Sequence, residues 1–448
     1  MESARSGGVA ADARERGVLV SRSCAVPDVS FRAFLTDQAV PRIHWFAPDG
    51  LELAGGRAAA RLTAAGPDRF DALRAGARAI FADVDHEGPA VTRPRMLGGI
   101  AFTDDHDPAP PWEGFAGASF VLPAVQLTRG ADTTYLTVSR FAPDADPDAV
   151  EADLDEVRDR IADLPAMVPS GDPPGVRETR HRTDAGQWQA QVGEAAERIR
   201  EGSLRKVVLA LALDVDLDAE VDVPSVLERL RRTYPQCYRF LVQPTEAAGF
   251  FGAPPERLVR LDGRRVETEA LAGSVARGAT PEEDAELAAA LVGSEKIQHE
   301  QGLVAEAIRD LLDPLGEVTV GGQEIHRLAT IQHLRTPITA DLAADEHVLS
   351  IVEALHPTPA VGGLPPEEAA RTIRETETFE RGWYASPVGW FDAEGDGEFA
   401  VAIRSGVAGG RRATLFAGNG IVGDSDPASE WEEVQLKYRP ILDELKRR

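Results

Sequence analysis

The sequence predicts an α+β fold, and three observations carry the prediction. Turn signals such as Asp49-Gly50 and Asp262-Gly263 sit between short apolar runs and mark hairpins. Helical periodicity comes in separate blocks instead of alternating regularly with strands, which argues against a doubly wound parallel sheet. No phosphate loop or dinucleotide fingerprint stands in a strand–turn–helix context.

Taken in order, residues 1–16 are rich in Ala, Gly, Arg and Glu without a hydrophobic stretch. They read as a disordered lead-in, not a secretory signal. Residues 17–448 read as one domain, with 17–165 as its N-terminal part, 166–184 as a Pro-, Gly- and charge-rich linker, and 185–448 as the motif-bearing part. Pro41 to Ala65 predicts strand, turn and strand. Residues 66–81 and 147–163 carry helical periodicity, the second through Val150, Leu154, Val157 and Ile161. Leu97 to Phe102 and Thr134 to Phe141 predict strands. Lys206 to Val215 is a continuous apolar strand, too hydrophobic to face water. Phe250 to Leu271 predicts a strand, a proline-bearing turn and a hairpin. Thr280-Pro281-Glu282-Glu283 is a capping box with Pro at the first helical position. A second helix is expected from Ser294 to about Leu312. Pro387 to Phe416 predicts a three-stranded meander ending in the turn Ala417-Gly418-Asn419-Gly420, then a helix capped near Asp426-Pro427.

Composition narrows the function. With 43% hydrophobic residues in 448, the chain can bury a sizeable core, and no apolar run is long enough to span a bilayer. Cys24 and Cys237 are far apart and lack metal-ligand spacing, which fits a reducing cytoplasm. A net charge of −26 argues against nucleic acid as partner. Acid-rich, arginine-over-lysine composition fits a halophilic source, where salt screens surface charge. An anionic substrate entering this field needs a site that concentrates positive charge or binds a cation.

Lysine is scarce: four residues, Lys206, Lys296, Lys437 and Lys446, against forty-four arginines. Lysine, unlike arginine, can be held as a neutral amine and serve as a base. Lys206 opens the apolar strand, so it reads either as a partly desolvated base or as a lysine snorkelling at a strand end. Glu256 follows two prolines that fix it on a rigid turn; it reads as a functional carboxyl or as a solvated partner of Arg257. Glu430 and Glu433 share a helical face and, with Glu300, could form an oxygen-only site suited to Mg²⁺, or simply solvated faces. Lys296 and Glu300 read best as a surface ion pair. The backbone amides of Ala417 to Gly420, with Arg404 and Lys437, could cradle a carboxylate, although such a turn needs no ligand. His333 reads as a core histidine satisfied by the backbone.

Together the segments resemble the chorismate-utilising enzymes, and among them the isochorismate synthases. The matching motifs include Lys206-Val-Val-Leu-Ala, Gly252-Ala-Pro-Pro-Glu256-Arg257-Leu, Glu269-Ala-Leu-Ala-Gly273-Ser274 and Ser294-Glu-Lys with Glu300. They continue with Gln332-His333-Leu, Leu355-His-Pro-Thr-Pro-Ala360, Arg381-Gly-Trp-Tyr384, Ala402-Ile-Arg404-Ser, Ala417-Gly-Asn-Gly-Ile-Val and Glu430-Trp-Glu-Glu433. They run in family order over about residues 185–445.

The resemblance implies two large antiparallel sheets packed together with helices outside, chorismate as substrate, Mg²⁺ as cofactor, no organic cofactor and no obligatory protein partner. It implies Lys206 as the base that activates water and Glu256 as the acid that protonates the departing hydroxyl. Glu300 and Glu433, with Glu430 through water, would hold Mg²⁺. Gly273, Ser274, His333, Ala360, Tyr384, Arg404, Gly418 and Lys437 would line the substrate site. Ala272 replaces the lysine nucleophile of aminodeoxychorismate synthases, and Ala360 matches isochorismate synthases where anthranilate and salicylate synthases tend to carry Thr. Two positions depart from the pattern: Leu211 replaces a common Arg, and Asn419 interrupts the usual Ala-Gly-Ala-Gly.

Overall fold

The residues from Val207 to Leu213 offer no polar face to water, and in the computed structural model of the chain they lie in the buried strand Lys206–Leu217. The structure describes residues 17–328 and 331–447, so the lead-in expected over 1–16 lies outside the described residues. The Lys206 strand pairs along its length with Arg412–Ile421, and its other edge takes Val176–His181 and Gly363–Leu364.

From Arg412–Ile421 a sheet continues through Ser405–Gly409, Gly249–Gly252, Arg239–Gln243, Arg42–Phe46 and Glu52–Ala64 to Ala118–Arg129, every pairing antiparallel. A second sheet starts at Ile331–Leu342 and passes through Arg265–Ala276, Arg257–Asp262, Gly397–Val401, Pro387–Asp392 and Arg95–Ile100. It closes on the same Ala118–Arg129 strand, again antiparallel throughout. The two sheets therefore diverge from one shared strand, and a single apolar cluster fills the space between them. A smaller cluster seats the helices Phe31–Asp37 and Pro147–Ile161 on the N-terminal strands through Phe34, Leu35, Val150, Leu154 and Ile161. The α+β expectation and the two antiparallel sheets hold. Among the described residues no helix is long and apolar enough to cross a membrane.

Local signals placed most elements. Thr280 caps the helix Pro281–Gly293 by accepting from the Glu283 amide at 3.2 Å, and Ser294 caps Glu295–Leu312. Asp426 caps Pro427–Leu445 by accepting from the Ser429 amide at 2.9 Å.

Three expectations need correction. The meander is really two hairpins, Pro387–Asp392 with Gly397–Val401 and Ser405–Gly409 with Arg412–Ile421, and they belong to different sheets. The chain crosses between the sheets at Ala402 to Arg404, where Arg404 takes the left-handed φ of 50° that non-glycine residues seldom adopt. Ala417 to Gly420 is no turn: each residue pairs in the ladder opposite Leu211 to Val208. The segment read as a linker contains the strand Val176–His181. Ala118–Arg129, over which no element was expected, is a strand that holds Pro123 beside a register shift in the partner strand.

Candidate active site

Where the two sheets separate, a cavity of about 260 Å³ opens between sheet residues and two helices. It collects Lys206, Glu256, Gly273, Glu300, His333, Ala360, Tyr384, Arg404, Gly418, Glu430, Glu433 and Lys437, residues far apart in sequence. The side chain of Ser274 lies outside what the structure describes, although its backbone pairs with His333 in the ladder.

Lys206 is 1% exposed, and its Nζ stands 2.7 Å from Glu300 Oε1 on the Glu295–Leu312 helix. The surface pair expected between Lys296 and Glu300 rests on the Lys296 side chain, which lies outside what the structure describes. The close approach explains Gly420. A Cβ there would meet Glu300 Oε1 at 2.8 Å and Lys206 Cε at 3.0 Å, so only glycine leaves room for the pair. Gly418 is similar: its Cβ would press on Leu209 O at 2.9 Å and the Tyr384 hydroxyl at 3.3 Å. These glycines are set by crowding, not by turn geometry.

Glu256 ends the proline segment, which is anchored at Pro254 O by the Tyr238 amide and at Glu256 O by the Val401 amide. The carboxyl is buried, and burial, reinforced by the Glu269 carboxylate and opposed by Lys206, pushes it up to about 8. It therefore keeps its proton at neutral pH. The alternative of a solvated pair with Arg257 fails, because Arg257 turns to Glu267 at 2.8 Å and to the Tyr238 hydroxyl at 2.9 Å.

His333 pairs through Nδ1 with Gly273 O at 3.0 Å, and burial, with Arg404 nearby, drives its pKa down to about 3. It is a neutral ring that also faces the cavity. Gly273 forms the bulge opposite, with φ of 65°, and Ile297 leaves no space for a side chain there. Tyr384 stacks on Phe416, and burial lifts its phenol to about 12, so it stays protonated. Arg404 is half-buried at the crossover, and its NH1 reaches Lys437 O at 3.5 Å. Lys437 Nζ donates to Gly418 O at 3.0 Å and to Asn419 Oδ1 at 2.6 Å, and pairs with Glu433 Oε1 at 2.8 Å.

The acidic residues sort by environment. Glu430 is buried, accepting from Ser425 Oγ at 2.8 Å and Asn419 Nδ2 at 2.9 Å, whereas the Glu433 side chain is 44% exposed. Glu300, Glu430 and Glu433 all line the cavity, a hard-oxygen donor set that fits Mg²⁺. Among the described residues no three acidic, His or Cys side chains gather closely enough to enclose an ion alone. That is compatible with Mg²⁺, which retains waters and takes substrate oxygens. Three basic side chains, Lys206, Arg404 and Lys437, face these three carboxylates, while Glu256 and His333 are neutral.

Two supporting residues were in the motifs but carried no assigned role. Arg381 is buried, paired with Glu377 at 2.5 Å, and donates to Val208 O at 2.7 Å and Val361 O at 2.8 Å. It ties the Lys206 strand to the loop that carries Ala360. Glu269 accepts from the Arg257 amide at 3.1 Å, within electrostatic reach of Glu256. Charged residues buried inside conspicuous motifs were the signal for both.

The sequence matches the family described as chorismate binding enzyme over residues 7–446. It is 38% identical to the salicylate biosynthesis isochorismate synthase of Pseudomonas aeruginosa over 97% of this chain and 92% of that protein. It is 37% identical to the isochorismate synthase MenF of Bacillus subtilis over 79% of this chain and 74% of that protein. Among solved structures, MenF, the menaquinone-specific isochorismate synthase of Escherichia coli, superposes with a TM-score of 0.81 at 27% identity, covering 97% of this chain and 96% of that one.

Proposed function

The chain belongs to the chorismate-binding enzyme family, and from that premise we propose that it is an isochorismate synthase, an isomerase that converts chorismate to isochorismate. The observation that carries the proposal is a buried amine and a proton-bearing carboxyl on one cavity, Lys206 and Glu256. Water adds to C2 of the ring and gives a proton to Lys206. The two ring double bonds shift, the bond from C4 to its hydroxyl breaks, and Glu256 protonates the departing oxygen. One water enters and one leaves, so the reaction is an isomerisation. Arg404, Lys437 and the Tyr384 hydroxyl hold the substrate carboxylates, and His333 shapes the pocket beside the ring.

Charge balance supports Mg²⁺ as partner. With Lys206 acting as the unprotonated base, Arg404 and Lys437 stand against three carboxylates, so a substrate with two more calls for added positive charge. A divalent ion held by Glu300, Glu430 and Glu433 would supply that charge. Isochorismate made here would feed a menaquinone or siderophore route.

The test is to incubate the purified chain with chorismate and Mg²⁺ at high salt and to separate the products. Isochorismate alone is expected. Salicylate with pyruvate, or anthranilate on adding ammonia, would reassign the reaction, and no turnover by folded protein would leave a binding protein.

A further inference from the structure

Asn419 touches none of the groups that would react, yet it joins two that would bind. It is 1% exposed in the middle of the Arg412–Ile421 strand. Gly418 and Gly420 on either side face the cavity, so strand alternation turns the Asn419 side chain toward the Pro427–Leu445 helix. There its Oδ1 accepts from Lys437 Nζ at 2.6 Å, and its Nδ2 donates to Glu430 O at 2.8 Å and Glu430 Oε2 at 2.9 Å.

An ammonium only donates and an ionised carboxylate only accepts, so one orientation of the amide satisfies both neighbours. An aspartate would set a second carboxylate against Glu430, and an alanine would drop both links. Glu430 Oε1 has a separate donor in Ser425 Oγ, whose own position is fixed by the Val422 amide at 3.1 Å. Ser425 thus supports Glu430 with no hydrogen bond to Lys437, while Asn419 reaches both.

We propose that Asn419 is a positioning residue that couples the cation-binding carboxylate Glu430 to the substrate-binding Lys437 through a single amide. This inference rests on the proposed function for the identity of the two ligands. Removing the amide frees the lysine to lean onto Glu433 and lets the Glu430 carboxylate turn, so both ligands weaken together. A hydrogen bond to a charged group corresponds to about tenfold in affinity.

The experiment compares wild type, Asn419→Ala and Ser425→Ala. Calorimetry gives Mg²⁺ affinity without chorismate, steady-state kinetics give KM and kcat at saturating Mg²⁺, and thermal unfolding confirms that each variant folds. Asn419→Ala is expected to weaken Mg²⁺ and to raise the chorismate KM, each by about tenfold, with kcat much less affected. Ser425→Ala is expected to weaken Mg²⁺ alone. An Asn419→Ala chain with both constants unchanged, or a Ser425→Ala chain that raises KM equally, overturns the coupling. If the wild type makes no isochorismate, the functional reading falls, and the substrate-free titration still decides whether Asn419 supports the cation site. A wild type that takes no Mg²⁺ overturns the coupling as stated.

Discussion

The sheet wall and the helix wall of the cavity are built on different physical terms. On the sheet side Lys206, Glu256 and His333 are buried, and loss of water sets the protonation of the last two: the carboxyl rises to about 8 and the imidazole falls to about 3. On the helix side Glu433 and Lys437 form an ion pair within reach of solvent, with side chains 44% and 16% exposed. Desolvation fixes a proton where it is needed, whereas a wet ion pair exchanges partners at little cost. On the proposed function, proton transfer would fall to the dry wall and exchangeable ion binding to the wet one.

The sharpest way to break this contrast is Lys206→Ala. Turnover should fall by about 10²–10⁴-fold, the range for loss of a general base, while equilibrium binding still registers chorismate. Activity within tenfold of wild type would rule out Lys206 as the base and with it the assignment of proton transfer to the sheet wall.

Glu256→Gln should cost somewhat less, about 10²–10³-fold in kcat, and it also tests desolvation directly. The wild-type rate should decline as pH rises through about 8, because the acid loses its proton there; the variant should lack that limb. Stability follows the same sign. A carboxyl raised from 4.5 to about 8 contributes fully below the unfolded value and loses that contribution as pH rises through the folded one. Thermal unfolding should therefore find Glu256→Gln gaining on wild type between pH 6 and pH 9. Parallel pH profiles for the two proteins would mean that the carboxyl is not held protonated by burial.

Much of this contrast was legible in the sequence, for reasons that differ by residue. The unbroken apolar run after Lys206 announced a buried strand, and two prolines announced a fixed Glu256. Helix caps at Thr280, Ser294 and Asp426 were readable because capping is a contact across two or three residues. Long-range pairing was not readable. Nothing near Glu300 in sequence indicates that it meets Lys206, which lies on a distant strand. The glycines at 418 and 420 were read as a turn because glycine signals turns locally, whereas here they mark crowding from other segments. The split of the expected meander between two sheets likewise depends on the crossover at Arg404, which leaves no periodic trace. Asn419 was visible as a departure from the motif, but its role needed the helix that packs behind it.

The smallest expected effect probes the wet wall. Glu433→Gln keeps shape and removes one carboxylate charge, so Lys437 loses its ion-pair partner but keeps Gly418 O and Asn419 Oδ1. A half-exposed pair contributes at most about 1 kcal/mol to stability, so the melting temperature should barely move. The Mg²⁺ requirement should rise, by about tenfold if the charge is a direct ligand, and saturating Mg²⁺ should restore most of kcat because the acid and base on the sheet wall are untouched. An unchanged Mg²⁺ dependence would remove Glu433 from the ligand set. A kcat that stays low at every Mg²⁺ concentration would dissolve the division itself, since a residue on the exchangeable wall would then be needed for the proton chemistry assigned to the buried one.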